Sequence, residues 1–186
     1  MSMGAYKKVF LTFSSIFWPI DQPFIGLIRK KADVGDMDIP QQLGQFMQID
    51  NLWARSGKPV MEVVLVGDGG KWSTGKSDAE IRKVVLNFIQ TAMIGDKEKL
   101  DIVPLCVGCH ISRWEEDKFS KGAYSGFILG TTASHVEKLT ASEWDDTLMF
   151  AGEATNLSYE GSVHGALLSG REAARKIIAQ HSSKVE

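Results

Sequence analysis

FAGEATNLSYEGSVHGALLSGREAA, residues 150–174, is the stretch on which the fold of this chain turns. It overlaps TLMFAG (147–152), a nearly continuous apolar run of the kind buried on both faces of a sheet. A polar loop follows, and a helix is predicted to open near Ser162. That helix places Val163, Ala166, Leu167, Gly170, Ala174, Ile177 and Ile178 on one apolar side. Free N–H groups at such a helix start suit an anion or a polar ligand. Gly161, Gly165 and Ala166 would let a flat or bulky ligand come close to the backbone. The same spacing also describes a plain strand–loop–helix with packing glycines, and it leaves both readings open.

Working outward, KVFLTF (8–13) alternates Val9, Leu11 and Phe13 with Phe10 and Thr12, a strand pattern. Pro19 and Pro23 punctuate an aromatic-rich loop, and polar residues 29–41 read as an exposed turn or broken hairpin. VMEVVLV (60–66), bounded by Pro59 and Gly67, is a second strand. Ser77 and Glu80 form a capping box, followed by Ile81, Val84, Val85, Phe88 and Ala92 at helical spacing. Another strand is expected within 102–112. The coarse order mixes strands and helices, an α+β or α/β class, with α+β, a mixed sheet with helices, preferred.

The chain has 186 residues, and 21 Lys and Arg stand against 23 Asp and Glu, a formal net charge of −2. With neither sign in excess, no nucleic-acid partner is expected. No apolar run approaches the roughly 18 residues a spanning helix needs, so no membrane partner is expected either. The N-terminal residues lack the basic region and long apolar core of a signal peptide. Two cysteines exclude a disulfide framework. The compartment stays open, cytoplasmic by default, because the terminal HSSKVE is not a peroxisomal Ser-Lys-Leu type ending.

Two motif matches carry little. Gly70-Lys-Trp-Ser-Thr-Gly75-Lys76-Ser77 satisfies the phosphate-loop pattern. The preceding strand ends too early at Gly67, however, and Asp78 and Glu80 in the following first turn would repel a triphosphate. A Gly/Ser turn capping a helix is the better reading. Cys106-Val-Gly-Cys109-His110 matches a haem-attachment or redox dithiol pattern. In a strand those cysteines face opposite ways, and two small buried hydrophobes are expected, with no metal site. The sequon at Asn156 has no secretory context.

Residues 150–174 closely resemble the C-terminal signature of the flavin-containing amine oxidases, which include polyamine oxidases, monoamine oxidases and flavin-dependent histone lysine demethylases. The resemblance covers nearly the whole chain. Gly4-Ala-Tyr-Lys-Lys8-Val9 looks like the family's Gly-x-x-x-Lys-Val strand, and Phe17-Trp18-Pro19 its FWP-like turn. KPVMEVVLVGDGG and SDAEIRKVVLNFI match its strand and following helix. The run from Ser112-Arg113-Trp114 through Phe119 to Gly122-Ala123-Tyr124-Ser125 looks like its SRW…GSYSY block.

The resemblance implies the C-terminal part of a two-domain FAD-dependent fold. Residues 1–144 would belong to the substrate-binding domain, with a linking strand near Lys8, and 145–186 would be the last strand and helix of the FAD domain. No G-x-G-x-x-G occurs in the chain, so a missing N-terminal dinucleotide-binding half is expected as a partner. By resemblance, Lys8 is the catalytic lysine that holds a water against flavin N5. Gly152, Glu153, Gly161, Ser162 and Val163 would contact FAD, with the helix start stabilising charge on the reduced flavin. Trp114 and Phe119 would line the flavin, and Tyr124 and Ser162 the amine channel. Ala123 stands where monoamine oxidases carry the Cys that bonds FAD, implying non-covalent FAD. Ser162 stands in place of their second cage Tyr, which favours the polyamine oxidase or demethylase branch. Tyr159 and His164 are given no chemistry. The implied reaction passes a hydride from a primary or secondary amine, polyamine favoured, to flavin N5. O2 then accepts the electrons, giving an imine or aldehyde and H2O2. The competing readings are a family-derived fragment without cofactor and a phosphate-loop nucleotidase.

Overall fold

The structure, a computed structural model, describes residues 2–29, 40–44, 46–95 and 99–182. The chain divides into two compact units, Ala5–Lys121 on one hand and Met1–Gly4 with Gly122–Glu186 on the other.

The strands are numbered along the chain: β1 (Ser2–Met3), β2 (Tyr6–Phe13), β3 (Phe24–Ile28), β4 (Phe46–Asn51), β5 (Val60–Val66), β6 (Cys106–Ile111) and β7 (Ser125–Gly126). The helices are α1 (Trp53–Ser56), α2 (Gly67–Ser73), α3 (Asp78–Ile89), α4 (Ala133–Thr140) and α5 (Val163–Ser182). In the larger unit an antiparallel sheet runs β3-β4-β5-β2-β6. Alternation on β2 sends Val9, Leu11 and Phe13 to the same side as Met61, Val63 and Leu65 of β5. Those residues pack with Ile81, Val85, Phe88 and Ile89 of α3 into the core. The predicted capping box is present: Ser77 Oγ accepts the Glu80 N–H, and the Glu80 carboxylate accepts the Ser77 N–H. A π-helical turn, Gln90–Ile94, extends α3 to Gly95.

Asn51 anchors the aromatic loop after β2. Its Oδ1 accepts the Trp18 indole N–H at 3.0 Å and the Trp53 N–H at 3.1 Å. Its amide donates to the carbonyls of Pro19, Ile20 and Gln22 at 3.0–3.2 Å. Trp18, with Phe13 and Phe17, forms an edge-to-face cluster against the core.

Several expectations change. Of residues 29–41, those numbered 30–39 lie outside the described residues, but β3 and β4 pair as the arms of a hairpin. Arg29 is buried, not exposed, with its guanidinium over the Phe88 ring. The Gly/Ser turn after β5 is mostly helical: α2 occupies Gly67–Ser73, and only Thr74 and Gly75 turn. A Cβ at Gly70 would lie 2.9 Å from the Ala5 carbonyl oxygen, so that glycine lets α2 pack closely on the backbone just ahead of β2. The strand in 102–112 is shortened to β6, since Pro104 has no N–H to offer a ladder.

The smaller unit joins β1 to β7, carries α4, and ends in α5. TLMFAG (147–152) is not a strand here. One isolated bridge joins Leu148 to Glu143, and none of the six residues is buried. A strand in a sheet interior needs ladder partners at both edges, and among the described residues this run has only that single bridge. The apolar side of α5 is present but open: Val163, Leu167, Ile177 and Ile178 are all exposed, and only Gly165 of the helix is buried.

Candidate functional site

The larger unit presents Lys8 on the face of its sheet opposite the core. Alternation on β2 buries Lys7 completely and leaves the Lys8 side chain 41% exposed. The Lys8 ammonium pairs with Glu62 Oε1 at 2.5 Å. The hydrogen-bonded Glu62 carboxylate holds the Lys8 pKa above its ordinary value. Burial opposes this, while attraction to Glu62, Tyr6 and Asp50 adds to it.

A second charged cluster carries the turn that contains Trp114. Buried Lys7 lies 3.6 Å from Glu115 and 3.4 Å from Glu116. Arg113 grips Glu116 at 2.8 Å, donates to the Lys76 carbonyl at 3.0 Å and pairs with Asp78. Burial alone would raise the Glu116 carboxyl, but the Gly75 N–H, Arg113 and Lys7 together hold it below the usual range. Ser112 completes the link: its Oγ accepts the Lys8 N–H and its N–H donates to the Lys8 carbonyl, each at 2.9 Å. The turn is therefore clamped beside Lys8. Trp114 is 52% and Phe119 84% exposed, so neither ring is core packing.

The smaller unit builds the loop ahead of α5. Glu153 accepts from the Ser125 N–H at 2.9 Å, the Ser125 hydroxyl at 2.7 Å and the Gly161 N–H at 2.6 Å. Burial pushes its carboxyl up, but the bonds from Ser125 and Gly161 outweigh that and hold it low. Both oxygens thus serve the loop itself. Gly161 takes φ 66°, the left-handed region in which glycine is at ease. Ser162 caps α5, its Oγ accepting the Gly165 N–H at 3.1 Å and donating to the Tyr159 carbonyl at 2.6 Å. A Cβ at Gly165 would sit 2.1 Å from that carbonyl oxygen, so the loop's own backbone fills the space assigned to a ligand. Gly152, at φ 153°, opens the turn to the short 3-10 helix Glu153–Thr155. Tyr124 is 42% and Val163 90% exposed, and Tyr159 stacks edge-on against His164 at 4.5 Å.

The sequence-predicted residues therefore fall into two sets, Lys8, Trp114 and Phe119 in one unit and the loop residues with Tyr124 in the other. Sequence reasoning passed over Glu62, whose signal was a lone carboxylate in an otherwise apolar strand. It also passed over Glu160, whose Oε2 is shielded from solvent with no donor among the described residues. That acceptor suits a ligand hydroxyl. Together with the uncovered first turn of α5 in the same unit, it suits the ribityl chain of a flavin.

The remaining motifs have local explanations. Lys76 pairs with Glu80 at 3.8 Å and lies over the Trp72 ring, engaged within its own helix pair. Cys106 and Cys109 are free thiols, and burial pushes Cys109 up to about 11.

A family profile described as flavin containing amine oxidoreductase matches residues 1–178. Lysine-specific histone demethylase 1 homolog 1 of Arabidopsis thaliana is 30% identical over 178 residues, covering 96% of this chain and 20% of that protein. Polyamine oxidase 5 of Oryza sativa subsp. japonica is 29% identical over 174 residues, 94% of this chain and 31% of that one. A solved structure of a putrescine oxidase triple mutant, made to redesign cofactor binding, superposes with TM-score 0.66 at 16% identity. It covers 96% of this chain and 36% of the other, and carries the fold alone. The chain spans about a fifth of the length of the demethylase relative.

Proposed function

The chain belongs to the flavin-containing amine oxidoreductase family, and from that premise we propose that it takes part in the FAD-dependent oxidation of a primary or secondary amine, polyamines favoured. The observation that carries this reading is Lys8, on an open sheet face beside the clamped turn of Trp114, at the position where the family motif has its lysine. When bound, the flavin supplies the two-electron acceptor for the amine's α-carbon and passes the electrons on to O2, giving an imine or aldehyde and H2O2.

The chain's own residues do the rest. The charged Lys8 donates hydrogen bonds and holds a water in place. Trp114 and Phe119 in the larger unit, and Tyr124 in the smaller, each offer an exposed ring that would attract an amine cation. The α5 start, capped by Ser162 and bordered by Gly161 and Val163, offers N–H groups and a positive dipole end to an electron-rich ring edge. Gly152, Glu153 and Glu160 shape the loop that would hold the flavin's ribityl and ribose hydroxyls, with the unpartnered Glu160 Oε2 as an acceptor. Ala123 stands where monoamine oxidases carry the Cys that bonds FAD, so the cofactor would be held non-covalently.

The active unit also needs a dinucleotide-binding half. Two features support that: the uncovered apolar side of α5, and relatives several times longer than this chain. The same open helix favours a second reading, a family-derived fragment without cofactor. Peroxide release on adding spermine or N-acetylspermine, together with the visible flavin absorbance, tests the choice. The assay is run on this chain alone and on the chain joined to a dinucleotide-binding half of the family. Activity and colour in the joined protein support the oxidase. A joined protein that stays colourless in excess FAD overturns it in favour of the second reading.

A further inference from the structure

We propose that Glu62 is the positioning residue for Lys8, fixing it on the open sheet face as a permanently charged ammonium that acts as a cation and donor, not as a proton acceptor. The proposal rests on the reading of Lys8 given above.

Every other residue of β5 is apolar, so nothing in the packing of that strand asks for a carboxylate at position 62. Strand register explains what does. Phe10 lies directly across from Glu62 and Lys8 across from Val64, which makes Lys8 and Glu62 diagonal neighbours on one face. That separation is within the reach of long side chains. The Glu62 side chain is only 9% exposed, and its Oε1 is shielded from solvent. Among the described residues no donor other than the Lys8 ammonium approaches that oxygen. A buried carboxylate without a counter-charge is costly, so the pair holds together from both sides.

The neighbours strengthen the arrangement. Asp50 of β4 stands directly opposite Glu62 in the register, a like-charge pairing that a sheet does not tolerate uncompensated. Lys8 supplies the compensating charge. Tyr6 of β2 and His110 of β6 are the other titratable groups on this face. Asp50 and Tyr6 act in the same direction as Glu62 on Lys8.

The test reads the lysine directly, without cofactor. Trace acetic anhydride labels each lysine in proportion to its neutral fraction, and peptide mass spectrometry resolves Lys8 from the rest. Lys8 in the unaltered chain should label more slowly than the exposed lysines. Near pH 9, Glu62→Gln should raise Lys8 labelling about threefold to tenfold, with other lysines unmoved. Glu62→Asp should restore part of the protection. Glu62→Leu, which suits an apolar strand, gives the same reading should the Gln variant fold poorly. Equal Lys8 labelling in the unaltered chain and in a folded Glu62→Gln or Glu62→Leu variant overturns the proposal. Lys8→Met in the joined, flavin-loaded protein tests the underlying reading separately. Full activity there would refute the role of Lys8 whatever the labelling shows.

Discussion

Gly165→Ala separates two explanations of the loop that precedes α5. If that glycine exists to admit a ligand, the substitution will weaken ligand binding and leave the free protein alone. The structure says otherwise, because a Cβ there would stand 2.1 Å from the Tyr159 carbonyl oxygen, 3.0 Å from its carbon and 3.1 Å from Ser162 Oγ. Two of those three atoms are backbone, so relief requires the loop to retreat by about 1 Å or more from the helix, against normal contact distances of about 3.5 Å. Overpacking of this kind costs about 1–3 kcal/mol. Ala in place of Gly within a helix returns up to about 1 kcal/mol. The expected balance is a loss of about 1–2 kcal/mol in the free protein, concentrated in the loop. Gly170→Ala on the same helix is the control, since nothing lies within 4 Å of its Cβ site. It should be neutral or stabilising by up to about 1 kcal/mol. Hydrogen exchange across residues 153–162, with thermal melting of both variants, reads the difference. Gly165→Ala with unchanged loop protection and a melting temperature equal to that of Gly170→Ala would refute the reasoning.

Three further outcomes follow from the geometry. Asn51→Ala removes five hydrogen bonds and strands the Trp18 indole, so it should cost about 3 kcal/mol and lower the melting temperature by about 10 °C, as calorimetry would show. The Glu153 carboxyl is held below its unfolded value, so its stabilisation of the loop is fully present above about pH 4.3 and fades as pH falls through the lower folded value. Proteolysis within 153–161 should accelerate over that acid range, and Glu153→Gln should abolish the pH dependence. Cys109, pushed up to about 11, carries only about 0.1% thiolate at pH 8 and should react with iodoacetamide far more slowly than a free cysteine. Labelling at an ordinary rate would show that burial does not govern that thiol.

Much of the larger unit was legible in the sequence for a local reason. Strand alternation over KVFLTF, the Ser77/Glu80 box and the helical spacing from Ile81 are short-range patterns, and each appears where its period places it. TLMFAG failed because an apolar run states only that it will be covered, not that a covering strand is at hand. The turn after β5 failed because the helical packing of Gly69 and Gly70 is set by contacts with Ala5, Gln42 and Leu43, residues distant in sequence. At the site, Lys8, Trp114 and Phe119 are readable only through their motif blocks, because no local period states which side chains stay exposed.

What the sequence determined by itself is the family, the α+β class and the identity of the residues that carry the motif blocks, since all of these reside in order and spacing. The tertiary structure alone decided which groups meet. Glu62 lies far from Lys8 along the chain, and only antiparallel register brings the carboxylate diagonally to the ammonium. Lys7, adjacent to Lys8 and of the same type, is turned by the strand's two-residue period into a buried clamp on Glu115 and Glu116. Identical side chains one residue apart thus acquire opposite roles, because a pleated strand sends them to opposite faces.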